Sequence, residues 1–109
     1  MNSGSIFKTI PQLSQNTEVF ETLFRNQCVE IERITSLGVT SPENNWYDQE
    51  KAEWVMLVQG ESELQFEGGH TLAMKAGDFV LIKPHEKHRV TYTSSEPSCI
   101  WLAFHFLPE

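Results

Sequence analysis

From Glu53 to Thr93 the chain is cut into pieces too short for helices. Glu53 to Gln59 ends at Gly60, Glu61 to Glu67 at Gly68-Gly69, and Thr71 to Lys75 at Ala76-Gly77-Asp78. Phe79 to Ile82 ends at Pro84, and His88 to Thr93 at Ser94-Ser95-Glu96-Pro97. A helix recognisable from its apolar period needs about ten residues or more, whereas runs of this length with turn-formers between them read as strands. The pieces also carry a period of two. Leu64 and Phe66 alternate with Glu63, Gln65 and Glu67, and Leu72 and Met74 repeat the pattern after a Gly-Gly pair suited to a tight hairpin. The run Ser98 to Phe106 is apolar on both faces, with Cys99, Trp101, Ala103 and His105 on one and Ile100, Leu102, Phe104 and Phe106 on the other. That suits a strand in the middle of a layered structure. The expectation is an all-β fold, a sandwich or closed barrel with few free edges.

The N-terminal part reads differently. Val19, Phe20, Leu23 and Phe24 fall at i, i+1, i+4 and i+5, Asn16 or Thr17 can cap, and Glu18, Glu21 and Arg25 suit the ends of a helix dipole. This predicts one short helix packed on the outside of the sheet. From Cys28 the period shifts to two, with Val29, Ile31 and Arg33 alternating with Glu30, Glu32 and Ile34, and residues 37–45 read as a loop. The expected organisation is an N-terminal arm and helix over 1–27, then a single β-barrel over 28–109, forming one domain overall.

The chain of 109 residues carries a net charge of -7, which argues against nucleic acid or an anionic membrane as partner. Lys83, Lys87 and Arg89 form a small basic group, read as a solvated strand end. No apolar run reaches the ~20 residues of a membrane span, and the first residues lack the pattern of a signal peptide. Cys28 and Cys99 are read as small hydrophobes with free thiols, in a cytoplasmic protein.

Two runs carry a resemblance. Glu53 is followed by six residues and then Gly60; Gly77 is followed by five residues and then Lys83-Pro84-His85-Glu86-Lys87-His88. These resemble the end of the first motif and the glycine-to-histidine spacing of the second motif of the cupin superfamily, G-x5-H-x-H-x3–4-E-x6-G and G-x5-P-x-G-x2-H-x3-N. The resemblance covers roughly residues 28–107 and is nearest to small stand-alone bacterial cupins without an assigned activity. It implies a double-stranded β-helix, or jelly-roll barrel, and commonly a homodimer. Typical cupins hold one divalent metal with the two histidines and the Glu of the first motif and the histidine of the second. Here the Glu place is Glu53 and the second-motif histidine is His88. The H-x-H places hold Tyr47 and Gln49 if three residues intervene, or Trp46 and Asp48 if four do. The opening glycine place falls on Ser41 or Thr40. In the second motif Lys83 takes the Pro place, His85 the Gly place and Tyr92 the Asn place.

Alternation groups Glu53, Val55 and Leu57 on one face of their strand, and His88, Val90 and Tyr92 on one face of theirs. Glu53 and His88, with Asp48 or Gln49, make a candidate set for Fe, Mn or Zn; equally, Glu53 and His88 make a buried pair with no metal. Trp46, Tyr47, Gln49, His85, Tyr92 and Trp101 are candidate ligand-binding residues. His88, Tyr47 and Tyr92 are candidates for acid–base work. His85 also reads as an exposed turn residue, His105 as a core histidine, His70 as a surface one, and Trp54 as a core or interface residue. The functional expectation is a barrel that binds a small organic ligand and need not be catalytic. The alternatives are a metal-dependent oxygenase or isomerase on a small acid or sugar, and a metal-free epimerase-like protein.

Overall fold

The computed structural model describes residues 1–107. Eight strands follow in order: β1 (Thr17–Arg25), β2 (Val29–Leu37), β3 (Ala52–Gln59), β4 (Glu61–Phe66), β5 (Thr71–Lys75), β6 (Phe79–Ile82), β7 (His88–Thr93) and β8 (Cys99–Phe106). They form two antiparallel sheets, a five-stranded one in the order β1-β2-β8-β3-β6 and a three-stranded one in the order β5-β4-β7. The core lies between them. Ile34, Val55, Leu57, Ile82, Trp101 and Ala103 come from the larger sheet and Leu64 and Met74 from the smaller, with Leu72, Phe66 and Val90 packed against them. The alternation read from Glu53, Val55 and Leu57 is confirmed, since all three are buried. No helix among the described residues is long and apolar enough to cross a membrane.

The expected N-terminal helix is absent. Residues Thr17–Arg25 are instead the edge strand β1, paired along β2 from Thr17 opposite Leu37 to Arg25 opposite Glu30. Thr17, Val19, Phe20, Thr22 and Phe24 are β-branched or aromatic and lose rotamer freedom in a helix. A bulge between Thr22 and Phe24 shifts the strand's alternation by one residue, so Phe20, opposite Ile34, and Phe24, opposite Ile31, fall on opposite faces and form no single apolar stripe.

The segment before β1 is fastened by a charge rather than by its apolar residues; Phe7 is exposed. Arg33, 5% exposed, donates to both carboxylate oxygens of Glu21 and to the backbone carbonyls of Ile6, Lys8 and Thr9. The planar guanidinium can satisfy several acceptors at once, which a lysine could not. Cys28 is exposed in the β1–β2 turn and is not packed as the small hydrophobe expected; Asn26 Oδ1 accepts from the amides of Cys28 and Val29 and shapes that turn. Cys99 is buried, and both thiols are free.

Trp54 lies on the outer face of the larger sheet, its ring 5.3 Å from that of Phe79 and 5.7 Å from that of Phe104. Gly60 turns the chain from β3 into β4 at φ +94°, and a Cβ there would lie 2.8 Å from Ser94 Oγ and 2.9 Å from Cys99 Sγ. Glycine is required at Gly60 both for its backbone angle and for its lack of a side chain.

Candidate functional site

A cavity of about 90 Å³ sits between the sheets, with Phe20 and Tyr47 at its exposed edge. Ile34, Val55, Leu64, Ile82, Val90 and Trp101 make its apolar wall; Glu18, Glu32, Ser36, Gln49, Glu53, His88 and His105 bring the polar groups.

Most of the polar groups follow from register on the larger sheet. Glu18 lies opposite Ser36 on β1 and β2, and Glu53 opposite His105 on β3 and β8. Glu32 on β2 accepts from His105 Nε2 at 2.8 Å. Two carboxylates thus flank one imidazole across three adjacent strands. The smaller sheet contributes His88, whose Nδ1 lies 3.0 Å from the carbonyl oxygen of Glu86 and whose Nε2 lies 3.9 Å from Glu53 Oε1.

The loop before β3 delivers the remaining pieces by running along β7. The amide of Tyr47 donates to the carbonyl of His88 at 2.7 Å, and the amide of His88 to that of Tyr47 at 3.1 Å. Further back, Ser41 bonds Val90 through both its amide and its hydroxyl. This pairing lays the Tyr47 ring 5.5 Å from that of His88. Gln49, on the same side as Tyr47, donates through Nε2 to Glu53 Oε1 at 3.4 Å. His85 adopts φ +62°, a region that favours glycine, and its amide donates to the Gln49 carbonyl.

Burial raises the Glu53 pKa above the ordinary carboxylate value; His105, His88 and the Gln49 hydrogen bond offset part of this, and Glu32 adds to it. Burial also raises Glu18, with the Ser36 hydroxyl opposing and Glu53 reinforcing. Tyr47 is raised by burial and by the charges of Glu18 and Glu53, so its phenol holds its proton.

Of the two alignments for the H-x-H places, the cavity takes Tyr47 and Gln49 and leaves Trp46 and Asp48 out. Asp48 is bonded at 2.8 Å to the exposed His85, and Trp46 lies under the Arg89 guanidinium. Tyr92 is half exposed and also outside. The expectation that Tyr92 shares a face with His88 and Val90 fails for a definite reason. Val90 pairs with Leu64 but Tyr92 pairs with Glu63, so Thr91 is an extra residue in β7 and reverses the alternation beyond it. His85, Tyr92 and Trp46 are therefore not brought to the cavity, whereas Tyr47, Gln49, Glu53, His88 and Trp101 are. Glu18 and Glu32 were missed. Glu32 shares parity with Ile34, which could have placed it inside; Glu18 was hidden by the helical reading of its segment. His105, read as core, lines the cavity.

The cupin-domain profile matches residues 38–105, and the chain belongs to the cupin family. Among solved structures, a protein from Ralstonia eutropha JMP134, provisionally described as a mannose-6-phosphate isomerase, is 34% identical, with 99% of this chain and 100% of that one covered and a TM-score of 0.92. A cupin superfamily protein from Desulfitobacterium hafniense DCB-2 shares the fold at 12% identity, with 99% and 94% covered and a TM-score of 0.77. An RmlC-like cupin from Desulfovibrio desulfuricans does so at 15% identity, with 96% of each chain covered and a TM-score of 0.74. No curated protein matches the sequence.

The metal implied by the family does not fit this donor set. Among the described residues no three His, Cys, Asp or Glu side chains come together to hold a cation. Glu53 and His88 keep their places, but Tyr47 is a protonated phenol and Gln49 directs its amide nitrogen at Glu53. A neutral phenol and an amide nitrogen are both poorer ligands for Fe, Mn or Zn than the imidazoles they stand in for.

Proposed function

We propose that this cupin binds a small organic molecule in the cavity of its barrel, with His88, Glu53, Gln49 and Tyr47 as polar contacts and Trp101 and Val90 as apolar ones. One observation carries the reading: a mostly apolar cavity on which a few polar side chains converge, the usual composition of a small-molecule site. The Ralstonia protein's provisional description raises a sugar phosphate as ligand. The lining argues against the phosphate, because among the described residues it includes three carboxylates and no Lys or Arg. Lys87 is turned to Glu67, and Arg89 to Gln65 and Ser41, outside the cavity. The test is ligand-observed NMR with a library of small polar molecules, comparing the protein with His88→Ala. Hits lost in the variant support the reading; hits that persist equally place the binding elsewhere.

A metal-free acid–base reading is favoured by the adjacency of Tyr47 and His88 on the same cavity. Tyr47 would donate a proton and His88 accept one. Exchange of a substrate C–H with solvent deuterium, abolished in both Tyr47→Phe and His88→Ala, is the measurement; exchange that survives Tyr47→Phe removes the tyrosine's role.

The exposed Phe79 and Leu81 beside Trp54 support a homodimer through the outer face of the larger sheet. Sedimentation of the protein and of Phe79→Glu tests it: a dimer converted to monomer is expected, and an unchanged sedimentation coefficient overturns it.

A further inference from the structure

His88 and Glu53 leave a gap that asks for a particular kind of group. A carbonyl oxygen only accepts, so the 3.0 Å contact with Glu86 puts the hydrogen of His88 on Nδ1. In the neutral ring Nε2 is then a bare acceptor. It makes no hydrogen bond among the described residues, although only 7% of the side chain is exposed. Its neighbour, Glu53 Oε1, is an acceptor as well, and it receives only the long 3.4 Å bond from Gln49. Whichever of the two carries a proton, their 3.9 Å separation is too long for a direct hydrogen bond. Two acceptors on buried side chains therefore face one space, and a donor placed there satisfies both.

The surrounding charge narrows the donor. Among the described residues, Glu18, Glu32 and Glu53 line the cavity with two histidines and no Lys or Arg. Even with both histidines protonated, the lining stays net negative while its carboxylates are ionised. A water or an alcohol could donate to the acceptors but would leave that charge uncompensated. Trp101 and Tyr47 add aromatic surface, which attracts cations. The volume of about 90 Å³ admits only a few heavy atoms; an apolar cavity of about 150 Å³ holds benzene.

We infer that the ligand is a small organic cation, a protonated alkylamine whose ammonium group donates to His88 Nε2 and Glu53 Oε1 while its alkyl part lies against the apolar wall. This rests on the reading of the cavity as a ligand site.

Titration of the full chain with n-propylamine, 1-propanol and propionate separates the possibilities, since the three differ in charge at nearly constant size. The readouts are the NMR signals of the His88 ring and the Trp101 indole. Propylamine is expected to move both signals saturably. Glu53→Gln weakens it by about tenfold or more through loss of a charge-assisted bond, and Asp48→Asn, outside the cavity, leaves it unchanged. Propanol or propionate binding as tightly as the amine overturns the inference but keeps the cavity as a ligand site. If none of the three moves either signal, both readings fall. Saturable binding of Zn or Mn that excludes propylamine overturns the amine in favour of a metal.

Discussion

His105 stands directly across the β3–β8 ladder from Glu53 while its ring is bonded at 2.8 Å to Glu32 on the strand beyond. One imidazole is therefore bonded to the half-buried Glu32 and acts through its charge on the buried Glu53, and the polar side of the cavity is organised by the strand order β2-β8-β3. His105 lies outside the family's metal motifs.

Replacing His105 by Ala leaves Glu32 without its hydrogen-bond partner and removes the largest influence that holds the Glu53 pKa down. The expected cost is about 1 kcal/mol of unfolding free energy, the net worth of a typical hydrogen bond, because the half-buried Glu32 can still reach water. The Glu53 pKa should rise further. Urea denaturation measures the first effect and carboxyl 13C NMR the second; an unmoved Glu53 titration would separate the two residues electrostatically.

Glu53 gives the stability a definite slope with pH. Its folded pKa lies above the unfolded value, so between the two values the folded state binds more protons than the unfolded one. Stability from this group is lowest above the folded pKa, where the buried carboxylate is charged, and recovers as pH falls through the folded pKa towards the unfolded one. Glu18 acts in the same direction. Glu53→Gln should therefore raise the melting temperature at neutral pH and change it much less in mild acid. Calorimetry across that range checks the sign; equal shifts at both ends would contradict it.

Gly60→Ala should destabilise the fold by about 2–4 kcal/mol, combining the cost of a left-handed backbone with that of overpacking. The added methyl meets Ser94 Oγ, Cys99 Sγ and, at 3.1 Å, the Cys99 backbone. Backbone cannot move aside as a flexible side-chain end can. Cys99→Ala in the same background removes the sulfur contact but not the backbone one, so chemical denaturation of the double variant should show partial rescue.

Arg33→Met should free the arm. The variant keeps an unbranched apolar stem but loses the bonds to Glu21 and to the carbonyls of Ile6, Lys8 and Thr9. Trypsin should then cut after Lys8 much faster than in the parent protein. Global stability should fall by about 1–3 kcal/mol, because Glu21 is one-third exposed and is not left fully desolvated. A cleavage rate equal to the parent's would show that the arm is held by something else.

The strands from β3 onward were legible because glycine or proline separates most of them, β4 and β5 alternate cleanly, and β8 carries apolar residues on both faces. What alternation cannot reveal is where it breaks. The bulge in β1 puts Phe20 and Phe24 on opposite faces, and the bulge at Thr91 takes Tyr92 away from His88. Both depend on the register with a partner strand, which the bulged strand's own sequence does not mark. The site was legible where a motif fixed the count, at Glu53 and His88, and again at Tyr47 and Gln49 once the loop's pairing with β7 chose between two alignments. Glu32 and His105 lie 73 positions apart, and only the sheet order makes them neighbours. Arg33 read as a strand residue like its neighbours; nothing in its surroundings announced that its partners would be backbone carbonyls from the start of the chain.

The extra residue at Thr91 makes membership of the cavity a matter of counting as well as of chemistry. Upstream of it β7 presents His88 and Val90 to the interior; downstream it presents Thr93, which is buried and bonded to Val39, while the Tyr92 ring is left to solvent. A single-codon deletion or insertion at that point would exchange the inner and outer faces of the strand's last residues without altering any other side chain. Lineages of this barrel can therefore change what lines the interior by slipping one residue, a step that substitution alone would need several mutations to imitate.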